Sequence, residues 1–405
     1  MSLPHLILFG IDWISFGINF ANFYALYFAI SLTLNLEAGF TGIPNFGKVL
    51  FIAGGAAFAG SVSGRVAAYF CALNAPTICT KGGDFITFNA DIISQVNGYM
   101  TTNPIFTIEI VVLALATAAS VGAFLGFLVS YPAIRLREDY LGMLLLASAQ
   151  FFQIFLRAYG PIVGGTQGIF APDPFLYFSG LGIGYRDLAA AVAVSGFAVL
   201  VYLYAERIAR SPLGRMLKAV RDNEDASRAL GKNDVAIRRK VLIVASAIAG
   251  LAGAFVTFYS GSVGADTWDR FAWTFWPWLI IIIGGMGNNL GVALGALFFT
   301  LVTRGLQQAQ PFFQPYLPFD PNWLTYLVFA TLLILVLMTR PEGILREKPA
   351  PTLPQKTLRS IFASAGLEPG VAFPSDKDGG RAKRALSRLR TVLRRKTTSS
   401  GPPSN

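Results

Sequence analysis

Val241-Leu242-Ile243-Val244-Ala245-Ser246-Ala247-Ile248-Ala249-Gly250-Leu251-Ala252-Gly253-Ala254-Phe255-Val256-Thr257-Phe258-Tyr259-Ser260-Gly261-Ser262-Val263-Gly264-Ala265 runs for 25 residues without a charge. A helix crosses roughly 30 Å of hydrocarbon in about 20 residues, so this stretch predicts a membrane span. Its alanines and glycines suit close helix contact in lipid. Comparable uncharged runs are Trp13–Leu36, Ile110–Ile134, Phe271–Thr303 and Pro321–Thr339. Shorter ones are Val49–Gly64, Tyr140–Leu156 and Leu188–Ala205. Phe271–Thr303 is too long for one helix and is broken by glycines, so it counts as two. These runs are continuously apolar and do not alternate as the strands of a membrane barrel do. The expected fold is an all-α integral membrane protein, a polytopic bundle of about 8–10 transmembrane helices, some of them broken or re-entrant.

Composition agrees. Of 405 residues, 54% are hydrophobic and 14% charged, with a mean hydropathy of +0.54. A soluble domain carries about 25% charged residues. The chain cannot cover two or three water-facing globules, and its 13% aromatic content argues against disorder. The formal net charge of +11 is concentrated in two places. The loop Glu206–Lys240 carries a net +5 and the segment Arg346–Asn405 a net +9. Positive loops stay in the cytoplasm, so both are expected inside, together with the Arg135–Asp139 turn and the C-terminus. The Cys71–Asn103 loop is then outside. The first cation is Lys48, so the N-terminus lacks the basic start of a signal peptide and reads as an uncleaved first helix. Cys71 and Cys79 share the outer loop; a disulfide and two free thiols both fit this spacing.

Chemistry is sparse. His5 is the one histidine. No His, Cys and carboxylate spacing suggests a metal, no phosphate-binding loop appears, and no residue reads as catalytic. The chain is therefore expected not to be an enzyme and to bind no cofactor. Charges fall at span ends. Arg65 and Glu109 are the deepest candidates, and both read as snorkelling to the interface. Ion-coupled carriers place ionisable groups in mid-membrane, so a secondary transporter is the weaker reading. Gly39–Gly47 and Gly284–Gly291 interrupt hydrophobic segments, one in each half. Such breaks can aim helix ends at a solute; tight packing is the competing explanation. The candidate pathway residues are Asn35, Gly39, Gly42, Asn45, Gly164, Gly165, Thr166, Gly284, Gly285 and Gly287.

Ser211–Asn233 has its own pattern. Ser211 is a natural N-cap and Pro212 suits the first helical position. Leu213, Met216, Leu217 and Val220 form an apolar stripe, and Gly231 can end the helical element in the left-handed conformation. A basic loop lying on anionic lipid would look similar. Asn223, Glu224, Ala226, Gly231 and Asn233, however, resemble the coupling motif of ABC importer permeases in the form used by LivM-type branched-chain amino-acid permeases. Further blocks are similar to that family in the same order: Leu34–Gly42, Phe51 with Gly55-Ala56, Tyr140-Leu141-Gly142, Gly164–Gly168, Ser246–Ala254, Gly284–Ala296 and Arg340-Pro341-Glu342-Gly343. The likeness spans roughly residues 12–345. Ile43, Asn45 and Lys48 depart from the Gln, Ser and His or Gln usual there, Glu37 is an unusual charge beside them, and Val163 and Gln167 replace the common Thr and Asp.

The resemblance implies a permease domain over residues 1–345, with an ATPase-coupling loop at 206–240. Its contacts would be Leu213, Gly214, Arg215, Leu217, Val220, Glu224, Ala226 and Gly231. It also implies partners: a LivH-type permease chain, two ABC ATPase subunits that use ATP and Mg, and an extracytoplasmic substrate-binding protein. The implied location is the inner (cytoplasmic) membrane, with branched-chain or related amino acids as cargo. Urea and amide importers have similar permeases. Beyond the likeness, residues 346–380 read as a Pro/Gly/Ser-containing linker. In 381–405, Ala385, Leu386, Leu389, Val392 and Leu393 share a helical face among eight cations. That segment reads either as an amphipathic helix on membrane lipid or as a disordered tail; nucleic acid is not an expected partner.

Overall fold

The computed structural model describes residues 7–8, 11–79, 83–136, 138–182, 184–229, 231, 233–314, 320 and 322–347. The linker beyond Glu347 and the basic segment 381–405 lie outside the described residues.

Seven of the described helices are long and apolar enough to cross a membrane. Two shorter apolar helices, Phe271–Gly284 and Trp323–Thr339, fill the remaining expected places. The protein is an all-α polytopic membrane protein. Helix α1 is Trp13–Leu34, capped by Asp12, whose carboxylate accepts the Ile14 N–H at 3.2 Å. It continues as a π-helical stretch, Asn35–Phe40, before the chain leaves helical geometry. Helix α2 is Lys48–Asn74, α3 Asn89–Thr102, α4 Pro104–Arg135, α5 Glu138–Ala158, and α6 the single turn Gly160–Val163. Helix α7 is Tyr185–Arg210, α8 Pro212–Asp222, α9 Glu224–Ala229 and α10 Asp234–Ser260. Helix α11 is Trp276–Gly284, entered through the π-helical Phe271–Phe275; α12 is Asn289–Phe313 and α13 Asn322–Thr339.

Helices α2, α4 and α10 form the tightest group, and small residues make it so. A Cβ on Gly250 would meet the Gly122 Cα at 3.2 Å and press on the Ala118 carbonyl. One on Gly253 would fall 2.9 Å from the Ala56 nitrogen and onto the Ile52 carbonyl. Backbones this close gain dispersion contacts and polar complementarity that lipid cannot match. The Ser246–Ala254 small-residue run is the seam of that packing.

Two ends of the bundle can be told apart. At one end lie α8, α9 and the Arg340–Glu347 segment, joined by ion pairs from Lys218 and Arg221 to Glu347. At the other lie α3, the disulfide between Cys71 and Cys79 (Cα–Cα 5.7 Å), and a short antiparallel ladder pairing Ile169–Phe170 with Ser262–Val263. The cysteine pairing, left open by the sequence, is thus a bond. Helix α10, 27 residues long, spans about 40 Å between the two ends.

Candidate functional site

The coupling loop is built as the sequence suggests, with one addition. Ser211 caps α8 by accepting the Gly214 N–H at 3.3 Å, and Pro212 opens it. The element then breaks at Asn223, whose side chain accepts the Ala226 N–H at 2.9 Å and so caps a second helix, α9. Gly231 follows at φ +72°, a backbone region costly for residues with a Cβ.

Its predicted contact residues divide between two surfaces. Gly214, Leu217 and Val220 are buried against this chain's own bundle. Gly214 sits where a Cβ would meet the carbonyl of Ala209 at 2.6 Å. Leu213, Arg215, Ala226 and Gly231 are exposed. Glu224 is half-buried, paired with Arg238 and, at 3.4 Å, with Arg228. The apolar stripe therefore seats the loop on the permease itself, and the opposite face stays open.

Arg221, unmarked as a site residue by the sequence, ties the loop to the first span. Its guanidinium donates to the Gly39 carbonyl and, at 2.9 Å, to Glu347. Burial opposes that charge, but the hydrogen bonds and charges of Glu347 and then Asp222 outweigh it and hold the pKa above its ordinary value. Lys218 reaches the same Glu347 at 2.7 Å. A cavity of about 590 Å³ opens beside this junction, walled by Ala38, Gly39, Arg221, Ile282, Met286 and Leu337 among others.

The candidate pathway residues also divide. Asn35 donates to Asn289 Oδ1 at 3.0 Å and accepts the Gly287 N–H at 2.9 Å. That contact joins the break after α1 to the break between α11 and α12. A Cβ on Gly39 would lie 2.6 Å from the Gly287 nitrogen, and one on Gly284 2.6 Å from the Gly291 carbonyl carbon. Gly285 adopts φ +109° beneath the Leu345 carbonyl. Gly42 packs on the Arg221 side chain. Asn35, Gly39, Gly42, Gly284, Gly285 and Gly287 thus form one assembly at the α8 end. Gly164, Gly165 and Thr166 do not join it. They turn the chain next to Arg157, Gly168 and Ile169 at the disulfide end, about a helix length away.

Arg65 and Glu109 are exposed; Arg65 bonds to Ser61 at 2.8 Å and to the Pro161 carbonyl. Glu37 and Lys48 are the most deeply buried charges among the described residues, ahead of Asp234 and Asp173. Their side chains are 0% exposed and meet at 3.0 Å. Asn45 donates to the other Glu37 oxygen at 2.8 Å. Both lie at span ends, as the sequence places them, Glu37 in the last turn of Trp13–Phe40 and Lys48 at the start of Lys48–Asn74. The Gly42–Gly47 segment turns back into the bundle, where Phe46 stacks on Trp278 with ring centroids 4.8 Å apart, and carries Lys48 inside. The sequence did flag Glu37 and Lys48 as departures, the one available signal.

Two facing helix breaks within a bundle of membrane-crossing helices are a feature that recurs at the solute sites of membrane transport proteins. The family described as "Branched-chain amino acid transport system / permease component" matches residues 16–337, and the chain belongs to it. The probable branched-chain amino acid transport permease protein LivM of Methanocaldococcus jannaschii is 37% identical over 336 residues, 82% of this chain and 94% of that one. The high-affinity branched-chain amino acid transport system permease protein LivM of Salmonella typhimurium is 30% identical over 267 residues, 61% of this chain and 59% of that one. Its Escherichia coli counterpart is 29% identical over 252 residues, 57% and 56% of the two chains. No solved structure matches.

Proposed function

We propose that this chain is the permease subunit of an ABC importer for branched-chain or related amino acids. It forms the pathway with a LivH-type permease chain. Two ATPase subunits bind and hydrolyse ATP with Mg, and an extracytoplasmic binding protein delivers the solute. The chain lies in the cytoplasmic membrane, with α8, α9 and the C-terminus on the cytoplasmic side.

The observation that carries the reading is the two-sided build of α8 and α9. One face is locked to the permease by Leu217, Val220 and the Arg221 bond to Gly39. The exposed surface presents Arg215, Ala226 and Gly231, with Leu213 at the open end of the stripe. A docked ATPase pulling on the open face would move the end of α1 directly, because no flexible link intervenes. ATP-dependent uptake of an amino-acid panel and urea by the reconstituted five-subunit system tests the assignment. Ala226→Asp places a charge on the exposed face and leaves the packed face intact. It is expected to abolish uptake while the permease pair still assembles in the membrane; normal uptake would refute the coupling role.

A further inference from the structure

A fully buried ion pair between the ends of two membrane-crossing helices asks for a reason. Taking two charges out of water is costly, and well-packed apolar residues often replace such a pair without loss of stability. Ionisable groups retained inside membrane bundles mark solute routes more often than scaffolding. Glu37 and Lys48 sit at such a position. Glu37 belongs to the π-helical end of the first span, and Lys48 is the first residue of α2. Short π-helical insertions recur at functional sites.

The surroundings are enclosed. The segment carrying Asn45 and Lys48 is fixed by a 3.0 Å bond from the Trp278 indole to the Asn45 carbonyl and a 3.1 Å bond from the Val49 N–H to Thr274. Gly47 abuts the Leu145 backbone, in the middle of α5. Ala38 and Gly39, the two residues after Glu37, already line the 590 Å³ cavity. The same Gly39 carbonyl receives Arg221 from the coupling helix. A movement of α8 therefore acts on the backbone two residues from Glu37, where that backbone lines the cavity.

We propose that Glu37 and Lys48 form a binding site for the two charges of a zwitterionic amino acid, closed on itself in this conformation. On opening, Glu37 accepts hydrogen bonds from the solute ammonium and Lys48 donates to its carboxylate, while Asn45 stays within reach of the carboxylate of Glu37. One internal ion pair is exchanged for two with the solute, and no charge is left unmatched. A solute with one charge leaves either Glu37 or Lys48 uncompensated in a dry site, and urea leaves both. The site thus selects zwitterions over amides. It rests on the importer reading above and narrows its cargo.

The test uses the solubilised complex of this permease with its partner permease and ATPases, without the binding protein. Binding of leucine is compared by saturation-transfer NMR with 4-methylpentanoate, isopentylamine and urea. Leucine is expected to bind, with each singly charged analogue and urea at least about 100-fold weaker, the size of effect that an unpaired buried charge produces. The double variant Glu37→Gln/Lys48→Met removes both charges without leaving one orphaned. It is expected to assemble and to lose leucine binding by a similar factor. Equal binding of leucine and its singly charged analogues to the wild type, no leucine binding, or wild-type affinity in the assembled double variant would each overturn the proposal. The analogue comparison needs no variant, so misfolding cannot hide the answer. Uptake in proteoliposomes with the binding protein separates the two levels. A wild-type system that carries leucine while the double variant binds it normally defeats this site alone. One that carries urea and no amino acid defeats the cargo assignment itself.

Discussion

Replacing Arg221 with methionine keeps the length and apolar stem of the side chain and deletes the link between the coupling helix and the first span. Three hydrogen bonds disappear: to the Gly39 carbonyl, to Glu347 at 2.9 Å and to Asp222 at 3.1 Å. The Asp222 bond contributes little, because that carboxylate is 67% exposed. A hydrogen bond from a charged donor to a half-buried carbonyl contributes about 1.5–3 kcal/mol. The Glu347 pair adds no more than about 1 kcal/mol, and Glu347 is not orphaned, because Lys218 holds it at 2.7 Å. A net loosening of about 2–3 kcal/mol follows, which raises the local opening of α8 by roughly 30- to 150-fold. Hydrogen–deuterium exchange of the 212–222 amides in the reconstituted complex reads that opening. The same sample gives transported solute per ATP hydrolysed, expected to fall in parallel. Arg221→Lys should recover only part of the effect, since one ammonium cannot present the forked donors that reach Gly39 and Glu347 together. Exchange within threefold of wild type in Arg221→Met would refute the claim that this residue fastens the coupling helix to α1.

Other perturbations test other parts of the fold. Gly253→Ala puts a methyl group against the Ile52 carbonyl and 2.9 Å from the Ala56 nitrogen. The resulting overpacking of α2 on α10 should cost about 1–3 kcal/mol and lower the melting temperature in detergent; an unchanged melt would mean that these helices part easily. Gly231→Pro demands φ near −65° where the chain adopts +72°. It should uncouple uptake from ATP hydrolysis while membrane insertion survives, and normal uptake would contradict this. Cys71 and Cys79 should resist maleimide until a reductant is added, and labelling without it would disprove the bond.

Local pattern was enough for much of this. Uncharged runs near the length of a bilayer crossing located the helices, because the cost of desolvating the peptide backbone and side chains is paid residue by residue along the chain. Ser211, Pro212 and Gly231 marked the ends of the coupling element through capping preferences that operate over three or four residues. The clustering of positive charge placed loop 206–240 and the segment from Arg346 on one side, and the ion pairs from Lys218 and Arg221 to Glu347 join their described parts at one end of the bundle.

What the sequence could not decide was which side of each element faces which neighbour. Leu213, Leu217 and Val220 share one apolar stripe, yet Leu217 and Val220 are fully buried against the permease while Leu213 is 38% exposed. That difference depends on how α8 lands on the bundle, where its Arg221 meets Gly39, 182 positions away. Gly39 and Gly164 look alike as glycines beside hydrophobic runs, and only the path of the chain puts one beside Gly287 and the other at the far end. Glu37 and Lys48 make the same point. Hydropathy treats a charge at the edge of an apolar run as a charge at the edge of the membrane. The break at Gly42–Gly47 turns the chain inward, so that edge lies in the interior of the bundle, and the cost of burying the charges is offset by their pairing and by the Asn45 hydrogen bond to Glu37.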